Sequence, residues 1–196
     1  MRTDNPDRYS RSTCRLANLD LAAHGAAIVS SATGGILLES VVLMAAASHH
    51  VASVGFALLI SERRAEQTHS WSGDAMFSAV QLILWTCCLL LASRVAALGA
   101  HDMFHAKTLD YPAMAVYAIP GAIAAVTSAA LVRSSVHNGL RMKANAFLSA
   151  LPTVSALCIA AGAAGVGAGR VDALAGLAIV VLLCIRALAY VADTLD

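Results

Sequence analysis

The chain has 196 residues, of which 59% are hydrophobic and 13% charged, with a net charge of +1 and a mean hydropathy of +0.72. A soluble domain carries roughly 25% charged residues, so the composition argues against a soluble globule and against a disordered chain, and the near-neutral balance lacks the basic surface of a nucleic-acid binder. At about 20 apolar residues per bilayer-spanning helix, the length accommodates six spans with short loops.

The first fifteen residues are polar and carry Arg2, Arg8, Arg11 and Arg15. They read as a cytoplasmic tail, not as the apolar core of a cleavable signal peptide. Six apolar segments follow, at about 16–36, 40–60, 75–98, 111–132, 144–166 and 173–190. The expected fold is all-α: a polytopic membrane bundle of six helices over residues 16–190, closed by a short cytoplasmic tail at 191–196. Membrane strands are not expected, because alanine dominates and no alternating pattern occurs. The first two segments are separated only by Gly34-Gly35 and Glu39-Ser40, which predicts a tight helical hairpin. Pro120 and Pro152 fall inside the fourth and fifth segments, where each removes a backbone hydrogen bond and predicts a kink. Cys14, Cys87, Cys88, Cys158 and Cys184 form no CxxC motif. They read as small apolar side chains, with no disulfide framework and no thiolate zinc site.

Basic residues set the orientation. The tail and the loops after the second and fourth segments hold nine of them (Arg2, Arg8, Arg11, Arg15, Arg63, Arg64, Arg133, Arg141 and Lys143), against Lys107 and Arg170 on the other side. This bias places both termini in the cytoplasm, which an even number of spans requires. The expected location is the cell membrane, with lipid as the surrounding partner.

Ionisable residues inside a membrane segment are candidate functional groups, since burying charge in lipid costs roughly 2.5–3.5 kcal/mol on insertion scales. Asp20 and His24 lie four apart and share a face of the first helix, as an acid–imidazole pair whose proton affinity can be tuned. Glu39 and His50 are separated by about 16 Å of helix rise, too far to share one ligand. His49 and His50 are adjacent and project about 100° apart. His69 and Asp74 flank Trp71 before the third segment, where Asp74 is also a candidate helix cap. His101, Asp102 and His105 form H-D-x-x-H, whose histidine pair is spaced to hold a metal on a helix, although the glutamate of a zincin is absent. No phosphate loop, dinucleotide fingerprint or nucleophile elbow occurs.

Four stretches together resemble one family. Val42-Leu43-Met44-Ala45-Ala46-Ala47-Ser48-His49 resembles the second-span pattern of the cation diffusion facilitators, and His69-Ser70-Trp71-Ser72-Gly73-Asp74-Ala75 resembles the stretch that opens their third span. Leu140-Arg141-Met142-Lys143-Ala144-Asn145-Ala146 is similar to their approach to span five, and Val171-Asp172-Ala173-Leu174-Ala175-Gly176-Leu177 to the opening of span six. The resemblance implies a six-span scaffold that exchanges divalent cations for protons and dimerises. It also implies a metal site built from paired ligands on spans two and five. At those places this chain has His49 with Ser53 and Ala46, and Leu148 with Pro152 and Asn145. Only His49 keeps a metal-ligand identity, whereas zinc requires three or four protein donors.

Three functions stay open on these residues. One is a transporter-like protein whose relaxed cation or proton site uses His49 or His50 with Ser53 and Asn145. Another is a membrane-embedded enzyme doing acid–base chemistry on a lipophilic substrate, such as isoprenoid cyclisation. Asp20, Glu39 and Asp74 are its candidate acids, and His24 or His49 its candidate base. The third is a non-catalytic partner subunit, associating through faces of small residues.

Overall fold

The computed structural model describes residues 6–66, 74–105, 108–134, 154 and 168–195. Among them are five helices and no strand: α1 (Pro6–Leu37), α2 (Val41–Glu66), α3 (Asp74–Phe104), α4 (Tyr111–Ser134) and α5 (Ala168–Leu195). These cover the first four apolar segments and the last. Nearly all of the expected fifth segment, with Asn145, Leu148 and Pro152, lies outside the described residues, as does His69. Two of the helices are long and apolar enough to cross a membrane, α3 over Thr86–Phe104 and α4 over Tyr111–Leu131.

Helix α1 starts ten residues before Leu16, inside the stretch expected to be a tail, and α5 continues past Tyr190 to Leu195. Hydropathy marks where apolar side chains are needed, and a helix can continue on its own backbone bonds beyond that point. Pro6 suits a helix start, where a missing N–H costs nothing. Helix α4 runs unbroken through Pro120.

Helix α2 is the hub, packing against α1, α3, α4 and α5, while α1 also lies along α4 and α3 along α5. Residues 40–53 are all buried, and their apolar members, Val41 to Ala45 with Val51 and Ala52, form the centre of the main core. The outer surface is apolar as well. Val116, Ile119, Ile123 and Val126 form an exposed stripe along α4, and Val181, Leu182 and Ile185 are exposed on α5. Asp20, His24, Ser48, His49, His50, Ser53, Thr127, Ser128 and Asp172 are inside. Soluble proteins show the opposite distribution, with polar side chains outward and large apolar patches rare.

Close approach of helices depends on missing side chains, as Gly176 and Gly34 show. A Cβ on Gly176 of α5 would stand 2.5 Å from Val41 Cγ1 and 2.9 Å from the Val41 carbonyl oxygen. A Cβ on Gly34 of α1 would run into the Tyr117 ring of α4.

The α1–α2 hairpin is as tight as the sequence suggests. Leu38, Glu39 and Ser40 make the whole connection, with Glu39 in the left-handed region at φ 51°. This delivers the first turn of α2 into the interior, where its free N–H groups need acceptors. Ser40 caps the helix, its hydroxyl oxygen accepting from Leu43 N at 3.3 Å. Asp172, fully buried on α5, completes the job. Its carboxylate accepts from Val41 N at 2.6 Å, Val42 N at 3.2 Å and Ser40 Oγ at 2.8 Å. A negative group at a helix N-terminus also complements the helix dipole. The α4 start repeats the device locally, with Asp110 Oδ1 accepting from Ala113 N at 3.1 Å.

Candidate functional site

Helical periodicity puts Asp20 and His24 on one face of α1, and that face meets α4 at Thr127 and Ser128. The Ser128 hydroxyl donates to Asp20 Oδ1 at 2.7 Å, and the Thr127 hydroxyl stands 2.9 Å from the same oxygen and 2.9 Å from the Ala124 carbonyl. His24 Nε2 lies 3.0 Å from Ser128 Oγ and 3.7 Å from Asp20 Oδ1. The acid and the imidazole are therefore linked through a hydroxyl and not by direct contact.

On its other side His24 meets α2. His24 Nδ1 is 3.0 Å from His50 Nδ1, and the rings are 5.1 Å apart between centroids. His24 is 2% exposed and His50 0% exposed. The Nε2 of His50 is buried and has no hydrogen-bond partner among the described residues.

With Asp20 ionised and both imidazoles neutral, donor and acceptor rules give the chain a direction. An ionised carboxylate only accepts, a hydroxyl has one proton, and a neutral imidazole donates from one nitrogen and accepts at the other. Ser128 gives its proton to Asp20, so Ser128 Oγ accepts from His24 Nε2–H. His24 Nδ1 is then an acceptor and takes the proton of His50 Nδ1–H. That leaves His50 Nε2 as a bare lone pair. Every group points the same way, from His50 through His24 and Ser128 to Asp20.

The adjacent His49 turns elsewhere. Its Nε2 is 3.3 Å from Ser53 Oγ, one helical turn on, and its ring meets that of His50 edge-on at 5.8 Å. Both neighbours are buried, because α2 is enclosed on all sides and has no outward face at this level. Ser48 and Cys88 add a minor polar contact, with Ser48 Oγ donating to Met44 O at 3.1 Å and Cys88 Sγ lying 3.5 Å from Ser48 O.

Of the residues singled out by sequence, the fold brings Asp20, His24 and His50 together and pairs His49 with Ser53. Glu39 is exposed in the hairpin turn, apart from this cluster. Asp74 opens α3, and Asn145 lies outside the described residues. Thr127 and Ser128 were not singled out, yet both contact Asp20. Their signal was available: they are adjacent hydroxyls in an otherwise apolar half of the fourth segment. Asp172 was read only as part of a resembling stretch, and its role as the α2 cap emerges from the packing. No group of three or more His, Cys, Asp or Glu side chains placed to hold a metal occurs among the described residues.

Compared with known proteins, the chain matches no family model, no curated protein and no solved structure.

Proposed function

We propose that this chain is an integral membrane protein of the cation-diffusion-facilitator type, with six spans and both termini in the cytoplasm, that moves protons in exchange for a small cation. The observation that carries the reading is the buried, one-directional chain His50–His24–Ser128–Asp20, ending on the bare Nε2 of His50. The apolar exterior and polar interior support placement in the bilayer. In that placement His50 lies about 14 Å along α2 from the outer end and Asp20 about 26 Å along α1 from the same end, at 1.5 Å per residue. The chain then spans roughly 12 Å of membrane depth.

A proton arriving at His50 Nε2 forms a new N–H bond there. The His50 Nδ1 proton passes to His24 Nδ1, the His24 Nε2 proton to Ser128 Oγ, and the Ser128 hydroxyl proton to Asp20 Oδ1. Both rings end neutral with their protons on the opposite nitrogens, Ser128 is unchanged, and Asp20 becomes a carboxylic acid. Return of the proton along the same path resets the chain, and net transfer requires Asp20 to release its proton on the other side and both rings to regain their starting tautomers. His49 and Ser53 sit beside it on the same helix and, with Asn145, are the proposed cargo contacts. They offer too few strong donors for a four-ligand zinc site.

Purified protein in liposomes with an internal pH dye tests this directly. With zinc or manganese inside the liposomes and an inward pH gradient, the wild type acidifies the lumen as the cation leaves, and omitting the internal cation lowers the rate. His50→Leu and His24→Gln abolish the flux. Equal flux in the wild type and both variants sinks the relay. Absence of flux from the wild type itself sinks transport, and the bare His50 nitrogen then counts for the enzyme reading, as a general base facing a lipophilic substrate.

A further inference from the structure

Helix α1 is longer than a bilayer needs. Its 32 residues rise about 48 Å at 1.5 Å per residue, against about 30 Å of hydrocarbon. Residues 16–37 account for about 33 Å of that rise, so the stretch from Pro6 to Arg15 stands beyond the apolar layer. It carries Arg8, Arg11 and Arg15 against one acid, Asp7. The three arginines are three and four residues apart and share one face of the helix. That face continues inward. From Arg15, which is exposed, steps of three and four reach Asn18, Ala22, Ala26, Val29, Thr33 and Ile36, every one of them exposed. Asp20, His24, Ala27 and Ser31, on the opposite side of α1, are buried.

Helix α4 repeats the pattern. Its exposed stripe Val116, Ile119, Ile123 and Val126 continues through Ala130 to Arg133, all exposed and again three or four residues apart. The two helices pack antiparallel. Ser30 Oγ donates to the Tyr117 carbonyl oxygen at 3.0 Å, and Ser128 Oγ donates to Asp20 Oδ1 at 2.7 Å. From that second contact, five residues back along α1 and five forward along α4 bring Arg15 and Arg133 to one level. Both outward faces therefore end in arginine at the same end of the bundle.

We propose that Arg8, Arg11, Arg15 and Arg133 form a docking surface for the phosphate headgroups of anionic phospholipids in the cytoplasmic leaflet. The proposal rests on the bilayer placement given above but not on the proton relay. A face that meets acyl chains along the span meets headgroups where the span ends. Positions 11 and 8 lie about 6 Å and 10 Å beyond Arg15 along the helix, within and just past a headgroup layer of about 5–8 Å. Guanidinium matches phosphate with paired N–H donors, and an anionic leaflet attracts each basic side chain near its surface.

Spin-labelled lipids in membranes reconstituted with the full chain provide the test. Electron paramagnetic resonance separates lipid held at the protein from free lipid, and so gives the affinity for phosphatidylglycerol relative to phosphatidylcholine. The wild type favours phosphatidylglycerol about fivefold or more, and about 1 M salt lowers the ratio, a result that needs no variant to fold. Replacing all four arginines (Arg8→Gln, Arg11→Gln, Arg15→Gln and Arg133→Gln) lowers the ratio at least about threefold. Arg15→Gln with Arg133→Gln lowers it in part and keeps the wild-type thermal midpoint, since both side chains are exposed. Equal affinity for the two lipids in the wild type, or an unchanged preference in the fourfold variant, overturns the proposal. So does a preference abolished by inorganic phosphate but not by chloride at the same ionic strength, which assigns the arginines to a free anion. Release of the chain from liposomes by alkaline carbonate overturns the bilayer placement and this proposal together, whereas the relay is read from flux alone.

Discussion

Two buried polar clusters share helix α2, and they are built differently. At its N-terminus, Asp172 and Ser40 give the Val41, Val42 and Leu43 amides and the Ser40 hydroxyl their partners. About fourteen ångströms further along, at 1.5 Å per residue, the cluster around His24 is a file of hydrogen bonds starting at His50, whose Nε2 has no partner among the described residues. The first cluster has several donors converging on one acceptor, an arrangement that holds one geometry. The second runs in series from His50 through His24 and Ser128 to Asp20, whose Oδ1 also has the Thr127 hydroxyl at 2.9 Å, and its protons can shift along the file. Satisfied buried networks rigidify a core, whereas a lone buried polar atom is costly and asks for a reason. The contrast assigns stability to the Asp172 end and, on the proposed function, proton transfer to the His50 end.

The largest expected effect therefore comes from the end with no chemistry. Asp172→Ala strands two backbone amides and a hydroxyl in a dry interior. Each unmet donor costs about 1–3 kcal/mol, so the three together cost about 3 kcal/mol or more. Asp172→Asn keeps an acceptor oxygen and recovers part of it. Reversible unfolding in mixed micelles measures both, and a loss below about 1 kcal/mol for the alanine variant would remove the cap from the argument.

A step down in size is the glycine that lets α5 reach that cap. Gly176→Ala places a methyl group against the Val41 backbone, which cannot swing aside as a side-chain tip can. Overpacking of this kind costs about 1–3 kcal/mol. Gly25→Ala is the counterpart on α1, with nothing within 4 Å of the added Cβ. There the helix gains about 0.5–1 kcal/mol from lower backbone entropy in the unfolded chain. Opposite signs for the two glycines, read in the same unfolding assay, establish that helix approach and not glycine content governs stability.

Sequence alone made the helices legible but not the site. Long apolar runs require helices, because a chain in lipid must satisfy its own backbone, and the α1–α2 hairpin followed from the lack of room between two runs. Helix ends were less legible at Pro6 and Leu195, because hydropathy records the apolar requirement and not hydrogen bonding. Asp20 and His24 could be paired from their spacing, since four residues is a local relation on one helix. Ser128 stands 104 residues from His24 and Asp172 stands 132 from Ser40. No periodicity reports contacts at that range, and only helix packing brings them together. His49 and His50 project about 100° apart, yet both are buried, because α2 is packed on every side at that level, which the sequence of one helix does not report.

At the relay itself the expected effects on stability are smaller while those on function are large, and this sharpens the comparison with the cap. His50→Leu removes the unfilled nitrogen and replaces it with an apolar side chain of similar bulk, but it also deprives His24 Nδ1 of its donor. The two changes oppose each other, and the net effect on unfolding stays within about 1 kcal/mol, while proton flux is lost. Ser128→Ala leaves Thr127 within reach of Asp20 Oδ1 but takes the acceptor from His24 Nε2–H. The lost donor and the stranded one together cost about 1–3 kcal/mol. Flux should nonetheless fall steeply, since His24 Nε2 and Asp20 Oδ1 are 3.7 Å apart and the proton then has no hydroxyl to cross on. Ser128→Thr restores the hydroxyl and should restore flux. If Ser128→Ala keeps wild-type flux, protons pass directly between His24 and Asp20, and the relay shortens to His50, His24 and Asp20.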